Sequence, residues 1–491
     1  MQSGRFIRRT LIGLALLSAA VAGFPEPGRA QTRREPSRAE LEDRIRRLEK
    51  IIQERGLDKP APVPSAAAAA PEAGPPVDKA EVEAIVDSTL KKQKVLAGWK
   101  DGFFLESPSG DFKMKLRGYI QADTRTFPNN GGDTGFNNFT LRRVRPIIEG
   151  TVYKYFDYKI MPDFGGGQVT LQDAWGGINY WNEAKFRAGK FKPPVSLERL
   201  QSGADLLFVE RSLVQNVTPN RDVGFQLAGD FGDGIFGYQI GAFDGDIDGG
   251  SNDNDVSSEK EFAGRIFAEP VKKAGIPALA GLGVGVAGTY GDLNNADNLS
   301  GLAYRTSGRS TFFKFDTSST VSVVGDDERH RIVPQGYWYW GPYGLLGEYT
   351  FSKQGVMQTN SMTGEVQKAD LDNSAWFVQA SWVITGEDAS YKGVSPINNF
   401  DPRNGRWGAF EVAARYGQLL VDEDAFDLGL ASKPTSTDEA TEYGFGVNWY
   451  LNRNFKFMFD YEHTAFNNPV LFGSALRDKE DVILTRFQVS Y

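Results

Sequence analysis

The chain has 491 residues, of which 55 are glycine, 63 are acidic and 55 are basic, and its formal net charge is −8. It has no cysteine and only two histidines, His330 and His463. These counts exclude disulfides and thiolate metal sites, and they disfavour a histidine-based metal site or catalytic triad. No run of 18 apolar residues follows the N-terminal region, which excludes a helical membrane protein.

The first 30 residues have the features of a signal peptide. Arg5, Arg8 and Arg9 precede the apolar run LIGLALLSAAVAGF, and small residues follow where a signal peptidase could cut. The run has 14 residues, fewer than the ~20 that a spanning helix needs. We therefore predict a signal peptide over residues 1–30 and an exported mature chain that begins near Gln31.

Three segments separate this leader from the rest of the chain. Leu41, Ile45, Leu48 and Ile52 follow one another at spacings of 4, 3 and 4, which predicts a short coiled coil over residues 31–57. It either joins several copies of the chain or packs on the chain's own body. Residues 58–77 form a Pro/Ala-rich linker, and residues 78–106 read as a helical segment and lead-in.

From residue 107 to residue 491 the sequence alternates between apolar and polar residues, with breaks at Gly, Asn, Asp and Pro clusters. In FKMKLRGYIQADTR, Met114 and Leu116 lie on one face of a strand, and Lys115 and Arg117 lie on the other. About sixteen such segments occur, each near the 9–11 residues of a tilted membrane strand. The pattern predicts an all-β protein, a sixteen-stranded antiparallel transmembrane β-barrel with a short N-terminal helical/coiled-coil extension.

Two features favour a membrane barrel over a soluble sandwich, whose apolar face would point inward. The polar faces carry bulky charges of both signs, and aromatic residues gather at strand ends, as in GYWYWGPYG. The chain also ends with Phe487, Val489 and Tyr491 on one face. The polar faces then line a lumen, where cations either form an anion pathway or belong to a mixed, water-filled interior. The lumen residues that we expect to be basic are Lys113, Lys115, Arg117, Arg145, Lys185, Arg187 and Arg265.

Residues 190–224 form the longest stretch of the barrel region without clear alternation. The stretch is too apolar for an external loop, so we expect it to fold into the barrel as a constriction loop. It would bring Lys192, Arg199, Arg211 and Arg221 near the passage. We find no grouped Ser, His and Asp and no phosphate-binding P-loop, so we expect neither an enzyme nor a cofactor or metal.

Several stretches from about Gly102 onward resemble the phosphate-selective porin O and P family of Gram-negative outer membranes. They are LRRVRPIIEGTVYKYFDYKI, LQDAWGGINY, AGKFKPPVSLERL, LLFVERSLV and SWVITGEDASYKGVSPINNFDPRNGRWGAFEVAARYGQL. The resemblance implies a sixteen-stranded trimer whose third long loop folds into the lumen. It also implies a constriction formed by arginines, a lysine and one aspartate. The positions that match these anion-binding and constriction residues are Arg142, Arg143, Asp173, Arg199 and Arg211.

The sequence thus predicts an outer-membrane porin with a water-filled, anion-preferring channel for phosphate or polyphosphate uptake. The alternatives are a general diffusion porin with weak anion preference and a barrel anchor whose coiled coil links outer membrane and cell wall. We expect its partners to be inorganic phosphate or other small anions, membrane lipid, lipopolysaccharide and two further copies of the chain in a homotrimer, and we expect no nucleic acid. We expect the protein in the cell outer membrane of a Gram-negative bacterium.

Overall fold

The computed structural model describes residues 95–128, 137–254, 258–292 and 298–491. The predicted signal peptide, coiled coil and linker lie outside the described residues, as does most of the predicted helical segment over 78–106. The described part of that segment is not helical. It forms the hairpin of β1 (Leu96–Trp99) and β2 (Phe103–Glu106), and β2 pairs with the first residues of the barrel.

Sixteen antiparallel strands close into a barrel, which confirms the predicted fold. The last strand pairs with the first, with Thr485 opposite Thr124 and Val489 opposite Ile120. The strands are β3 (Lys113–Thr126), β4 (Asn138–Val152), β5 (Phe156–Asp163), β6 (Thr170–Trp181), β7 (Ala184–Phe191), β8 (Asp222–Phe231), β9 (Phe236–Phe243), β10 (Glu261–Ala268), β11 (Leu282–Asp292), β14 (Val321–Trp340), β15 (Tyr343–Asn360), β16 (Glu365–Val383), β17 (Ala409–Leu420), β18 (Glu439–Tyr450), β19 (Phe455–Phe472) and β20 (Ala475–Ser490).

The short elements lie in the connections between these strands. The hairpin of β12 (Ala303–Arg305) and β13 (Thr311–Lys314) lies between β11 and β14. Two one-turn helices are α1 (Leu197–Leu200) and α2 (Asp424–Asp427), and short 3₁₀ segments occur at Gly165–Gly167, Leu213–Val217, Pro277–Leu279, Leu299–Gly301 and Pro402–Asn404. Among the described residues, none of the helices is long and apolar enough to cross a membrane.

The barrel turns its apolar face outward and its polar face inward. Along β19, Phe457 and Phe459 are 42% and 48% exposed, whereas Lys456 and Asp460 are buried. The first strand shows the same alternation, with Met114 exposed on the outer surface. A soluble sandwich would reverse this pattern, so the outer surface is suited to lipid and the inner surface to water.

Strand lengths differ from the predicted 9–11 residues, because they range from 8 residues in β5 to 20 in β14. The distal halves of β14, β15 and β16 carry ion pairs on the outward face, Lys353 with exposed Asp370 at 2.9 Å and exposed Lys368 with half-buried Asp326 at 2.8 Å. Charged side chains on the outward face of a barrel are solvated by water and disfavoured in contact with lipid. These strands therefore continue beyond the lipid-facing band, which the alternation alone did not reveal.

The two ends of the barrel differ. We call the end where β3 begins and β20 finishes the terminal end, and the opposite end the distal end. Exposed aromatic rings border the terminal end, including Phe156, Trp181, Phe231, Phe236 and Phe455. They match the interfacial belt expected from the sequence.

Residues 192–221, which join β7 to β8 at the distal end, fold into the barrel, and we call them the inner loop. Val209 donates its backbone N–H to Asp460 on β19, and Asn448 on β18 donates to the carbonyl of Leu207. The loop's apolar residues Val214 and Val217 pack in a buried cluster with β12–β13 residues such as Phe312. Burial inside the barrel explains why this stretch is more apolar than an external loop would be.

Candidate functional site

A β-bulge brings two adjacent arginines of β4 to the lumen. Gln121 pairs with Arg143 and Ala122 pairs with Leu141, so Arg142 is an extra residue in the ladder. Strict alternation would point Arg142 toward lipid. The bulge shifts the alternation by one residue, so that Arg142 and Arg143 both reach the inner loop.

The carboxylate of Glu210, in the inner loop, contacts both of these arginines. Arg142 donates two hydrogen bonds to its carboxylate, from Nε at 2.5 Å and from Nη2 at 3.1 Å. Arg143 and Arg125 approach the same carboxylate at 3.9 Å each. Burial alone would raise the pKa of Glu210, but Arg142 and Arg143 hold it well below its usual range. One carboxylate therefore faces three guanidinium groups, and the cluster keeps a positive charge.

Asp173 lies deeper in the lumen, beside a second bulge on β6 at Gln172. Lys159 contacts one of its carboxylate oxygens at 2.7 Å, and Arg221 of the inner loop contacts the other at 2.9 Å. The side chain is buried, with 6% exposed. Asp173 thus fixes the end of the inner loop against the wall, and two cations surround one carboxylate.

Three further cations of the inner loop have no carboxylate within 4 Å in the described part of the chain. Lys192 donates to the carbonyl of Gln201 at 2.9 Å, and Arg211 donates to that carbonyl at 2.9 Å and to the carbonyl of Glu198 at 3.1 Å. Arg199 donates to the carbonyl of Gln215 at 3.0 Å. They bond to backbone carbonyls and to an asparagine side chain, so no contacting carboxylate among the described residues compensates their charge, and in this sense we call them uncompensated.

Burial and mutual repulsion disfavour the charged forms of these groups. Desolvation and the nearby Arg221 and Arg211 hold the pKa of Lys192 well below the ordinary lysine value. Desolvation also lowers the pKa of Arg211 to about 10, although Glu198 acts in the opposite direction. An anion that enters among crowded cations of this kind stabilises their charged forms, which lowers the free energy of the site.

A cavity of about 1060 Å³ opens from this cluster toward the terminal end. Its lining includes ten lysine or arginine side chains and four aspartate or glutamate side chains. Lys159, Lys192 and Arg221 lie on its inner wall, and Lys392 and Arg453 lie nearer the barrel end. The cavity is therefore a basic chamber beneath the inner loop, with hydrogen-bond donors suited to oxyanions.

The family model of the phosphate-selective porin O and P matches residues 112–491. The chain belongs to this family. Porin O of Pseudomonas aeruginosa is 26% identical over 385 residues, which cover 72% of this chain and 83% of that protein. Among solved structures, the outer membrane channel DcaP of Acinetobacter baumannii is 10% identical with a TM-score of 0.49, and it covers 81% of this chain and 100% of its own. OmpT of Vibrio cholerae with loop L8 deleted is 9% identical with a TM-score of 0.48, covering 78% and 100%.

The protein is an outer-membrane porin whose barrel forms an anion channel. Of the five positions carried over from the family, Arg142 and Arg143 lie together at Glu210, on the distal side of the loop. Asp173, Arg199 and Arg211 lie around the loop's two ends and α1. Arg199 and Arg211 donate from their guanidinium groups to carbonyls of the loop itself. The porin thus places all five residues at the inner loop, and their role in anion binding stays a prediction.

The predicted basic lumen residues fall into three groups. Lys113 and Lys185 lie at the terminal rim and pair with Glu106 at 2.9 Å and Asp230 at 3.2 Å. Lys115, Arg117 and Arg187 line the chamber. Arg145 forms an ion pair with Asp163 at 2.7 Å. Arg265 donates to Gln335 at 2.8 Å and lies over the ring of Phe267. Arg117 is also paired, with two hydrogen bonds to Glu149 at 2.6 and 2.9 Å.

Sequence reasoning missed the acidic partners that hold this porin's interior together. Glu210 stood unnoticed between Val209 and Arg211, although an acid inside an apolar run is a usable signal. Arg415 of β17 likewise contacts Glu462 at 2.6 Å and Glu442 at 3.0 Å, and it donates to the Glu210 carbonyl at 2.9 Å. These pairs are remote in sequence and meet only when the barrel closes.

Proposed function

We propose that this channel selects phosphate and related oxyanions, including polyphosphate, over chloride. The observation that carries the proposal is the charge of Lys192, Arg199 and Arg211, which have no carboxylate within 4 Å among the described residues. Lys192 also lines the chamber, whose wall has ten cations and four carboxylates. Oxyanions accept several hydrogen bonds at once and carry up to twice the charge of chloride at neutral pH. They should therefore exchange their water for these donors more favourably than chloride does.

The route would run from the distal end past Arg125, Arg142 and Arg143, then past the inner loop into the chamber. Each of these clusters contains more cations than carboxylates among the described residues. Several weak sites in sequence allow an anion to enter and leave, whereas one tight site would trap it. Selection would then need no bond to be made or broken, and we propose transport without catalysis.

A general diffusion porin with weak anion preference is the second candidate. It is favoured by the close pairs Arg117–Glu149 and Arg145–Asp163, which neutralise part of the lumen wall. The two candidates differ in whether the unpaired loop cations or the paired wall charges control the current. A third candidate is a barrel that only anchors a coiled coil to the cell wall. It depends on residues 31–57, which lie outside the described residues.

The remaining assignments extend the same proposal. Residues 1–30 would direct export and be removed, and residues 31–57 would form a coiled coil that joins three copies of the chain. Residues 58–77 would act as a linker before the barrel. The apolar outer surface would contact membrane lipid and lipopolysaccharide in a Gram-negative outer membrane, and the barrel would function as a homotrimer.

Single-channel recording in planar bilayers tests the proposal. With chloride as the current carrier, phosphate is titrated on either side, and nitrate serves as the monovalent control anion. The proposal predicts that phosphate blocks the chloride current at concentrations at least ~10-fold lower than nitrate does, since 1.4 kcal/mol of preference gives that ratio. An ohmic current that phosphate does not block, with little preference for anions, would support the general diffusion porin instead.

A further inference from the structure

The longest family-like stretch of the sequence, SWVITGEDASYKGVSPINNFDPRNGRWGAFEVAARYGQL, includes a segment to which the proposed function gives no role. This segment joins β16 to β17 over residues 384–408, at the terminal end of the barrel. Part of it lies against the inner loop, which enters from the distal end. Two connections from opposite ends of the barrel therefore meet inside the lumen.

The segment is built to hold one turn inside the barrel. Ala389 and Val394 are buried in an apolar cluster on the wall, and the Ala389 N–H donates to the carbonyl of Gly341 at 2.7 Å. Between these anchors, the Gly393 N–H donates to the carbonyl of Ser390 at 3.0 Å, and Gly393 has φ of +81°, which favours glycine. The turn presents Tyr391 and Lys392 at its tip.

Tyr391 contacts the inner loop at two points. Its hydroxyl donates to the carbonyl of Leu197 in α1 at 2.5 Å, and its own carbonyl accepts from Nε2 of Gln201 at 2.7 Å. Its ring stacks on Tyr337 of the wall, with 5.6 Å between ring centroids and an interplanar angle of 28°. The ring is thus fixed by the wall while its polar atoms hold the loop.

Gln201 connects this contact to the uncompensated cations. Its carbonyl is the shared acceptor of Lys192 and Arg211, each at 2.9 Å. Its side chain also donates to the carbonyl of Asp205 at 3.1 Å. One residue therefore separates Tyr391 from the two cations that carry the proposed selectivity.

The inner loop needs contacts with the rest of the barrel to keep its conformation. Lys192, Arg211 and Arg221 repel one another, and α1 has only four residues, too few to be stable alone. A loop of 30 residues (192–221) that carries such charges would spread apart unless other parts of the barrel held it. Tyr391 supplies such a contact from the terminal end.

We propose that Tyr391 is a positioning residue for oxyanion selection, acting through Leu197 and Gln201 to hold Lys192 and Arg211 together within the inner loop. The inference rests on the proposed function, because it assigns those two cations to the selective site. Tyr391 itself need not touch the anion. Its loss should change which anion is preferred more than it changes how much current passes.

The test compares Tyr391→Phe with wild type in planar bilayers. The variant keeps the ring stacking and the backbone carbonyl that accepts from Gln201, and it loses only the hydrogen bond to Leu197, so it tests the contact with α1. Tyr443→Phe, which alters an outward-facing tyrosine stacked on His463, is the matched control. We expect the half-blocking phosphate concentration to rise roughly threefold to tenfold in Tyr391→Phe, the effect of one lost hydrogen bond, with chloride conductance within about twofold of wild type. The control should match wild type in both.

The double variant Tyr391→Phe/Lys192→Gln separates positioning from a general loss of structure. If Tyr391 acts through Lys192, the tyrosine change should have less effect on block in the Lys192→Gln background than in wild type. Equal effects in both backgrounds, or a half-blocking concentration that Tyr391→Phe leaves unchanged, would overturn the inference. Chloride-to-potassium permeability ratios are recorded in the same bilayers.

Failure of the proposed function gives a different result. If phosphate does not block wild type, selection of phosphate is refuted, and the inference then depends on the permeability ratio alone. A lower chloride-to-potassium ratio in Tyr391→Phe than in Tyr443→Phe would still support positioning of the cations. An equal ratio would overturn it.

Discussion

Replacing Lys192 by glutamine removes one unit of charge from the inner loop at nearly constant side-chain size. The glutamine amide can still donate to the carbonyl of Gln201, which Lys192 contacts at 2.9 Å, so the loop should keep its path. The change therefore isolates the charge of Lys192 from its role in packing. We expect weaker phosphate block and a smaller preference for anions over cations.

The magnitude follows from Coulomb's law. Two unit charges 4 Å apart attract by about 1 kcal/mol in bulk water and by about 4 kcal/mol at an effective dielectric constant of 20. The chamber is open to water, and Lys192 already donates to loop carbonyls, so we place the loss at about 1–2 kcal/mol, near the lower bound. That loss raises the half-blocking phosphate concentration about 5-fold to 30-fold.

The assay is phosphate block of single-channel chloride current in planar bilayers, at fixed pH and ionic strength. Lys113→Gln is the matched control, because Lys113 is 52% exposed at the rim and pairs with Glu106. The control should stay within about twofold of wild type, since an exposed ion pair contributes little. Equal half-blocking concentrations in Lys192→Gln and wild type would refute the assignment of Lys192 to the selective site.

Three further predictions concern two family-matched arginines, the pH dependence of selectivity and the N-terminal segment. Arg143→Ala and Arg211→Ala should each weaken phosphate block several-fold, and unchanged block in both would remove these arginines from the site. Because burial lowers the pKa of Lys192, its charge is lost at a lower pH than that of an ordinary lysine. The chloride-to-potassium permeability ratio should therefore fall as pH rises toward the ordinary lysine pKa, and the fall should be smaller in Lys192→Gln; equal falls would contradict this. Deleting residues 37–56 should lower the temperature at which the oligomer dissociates on gels, and an unchanged temperature would mean that the barrel alone determines assembly.

The barrel was predictable because lipid imposes a simple rule on every strand. Alternation in FKMKLRGYIQADTR identified the outward Met114 and Leu116 and the inward Arg117, and the same rule applied to the other fifteen strands. Strand ends were not predictable in this way. Beyond the lipid, the outward face of β14–β16 meets water, and the inward face packs Val323, Val356 and Leu371 in a buried apolar cluster. Apolar-out alternation therefore no longer marks where a strand stops.

The interior was predictable only in part. The apolar content of residues 190–224 indicated an inward loop, and its observed bounds are 192–221. The inward direction of Arg142 depends on a bulge that is visible only in the pairing of β3 with β4. Likewise, the contact of Tyr391 with Leu197 joins residues 194 positions apart, and no local pattern announces it.

Selection of oxyanions by the inner loop can be tested by locating a bound anion directly. Crystals of the porin grown with arsenate, an anomalous scatterer with the shape of phosphate, would show where the anion binds. We predict an anomalous peak in the chamber within hydrogen-bonding distance of Lys192 or Arg211, roughly 2.7–3.2 Å, and its loss in Lys192→Gln. A chamber without ordered arsenate, or a peak confined to the rim lysines Lys113 and Lys185, would contradict selection at the inner loop.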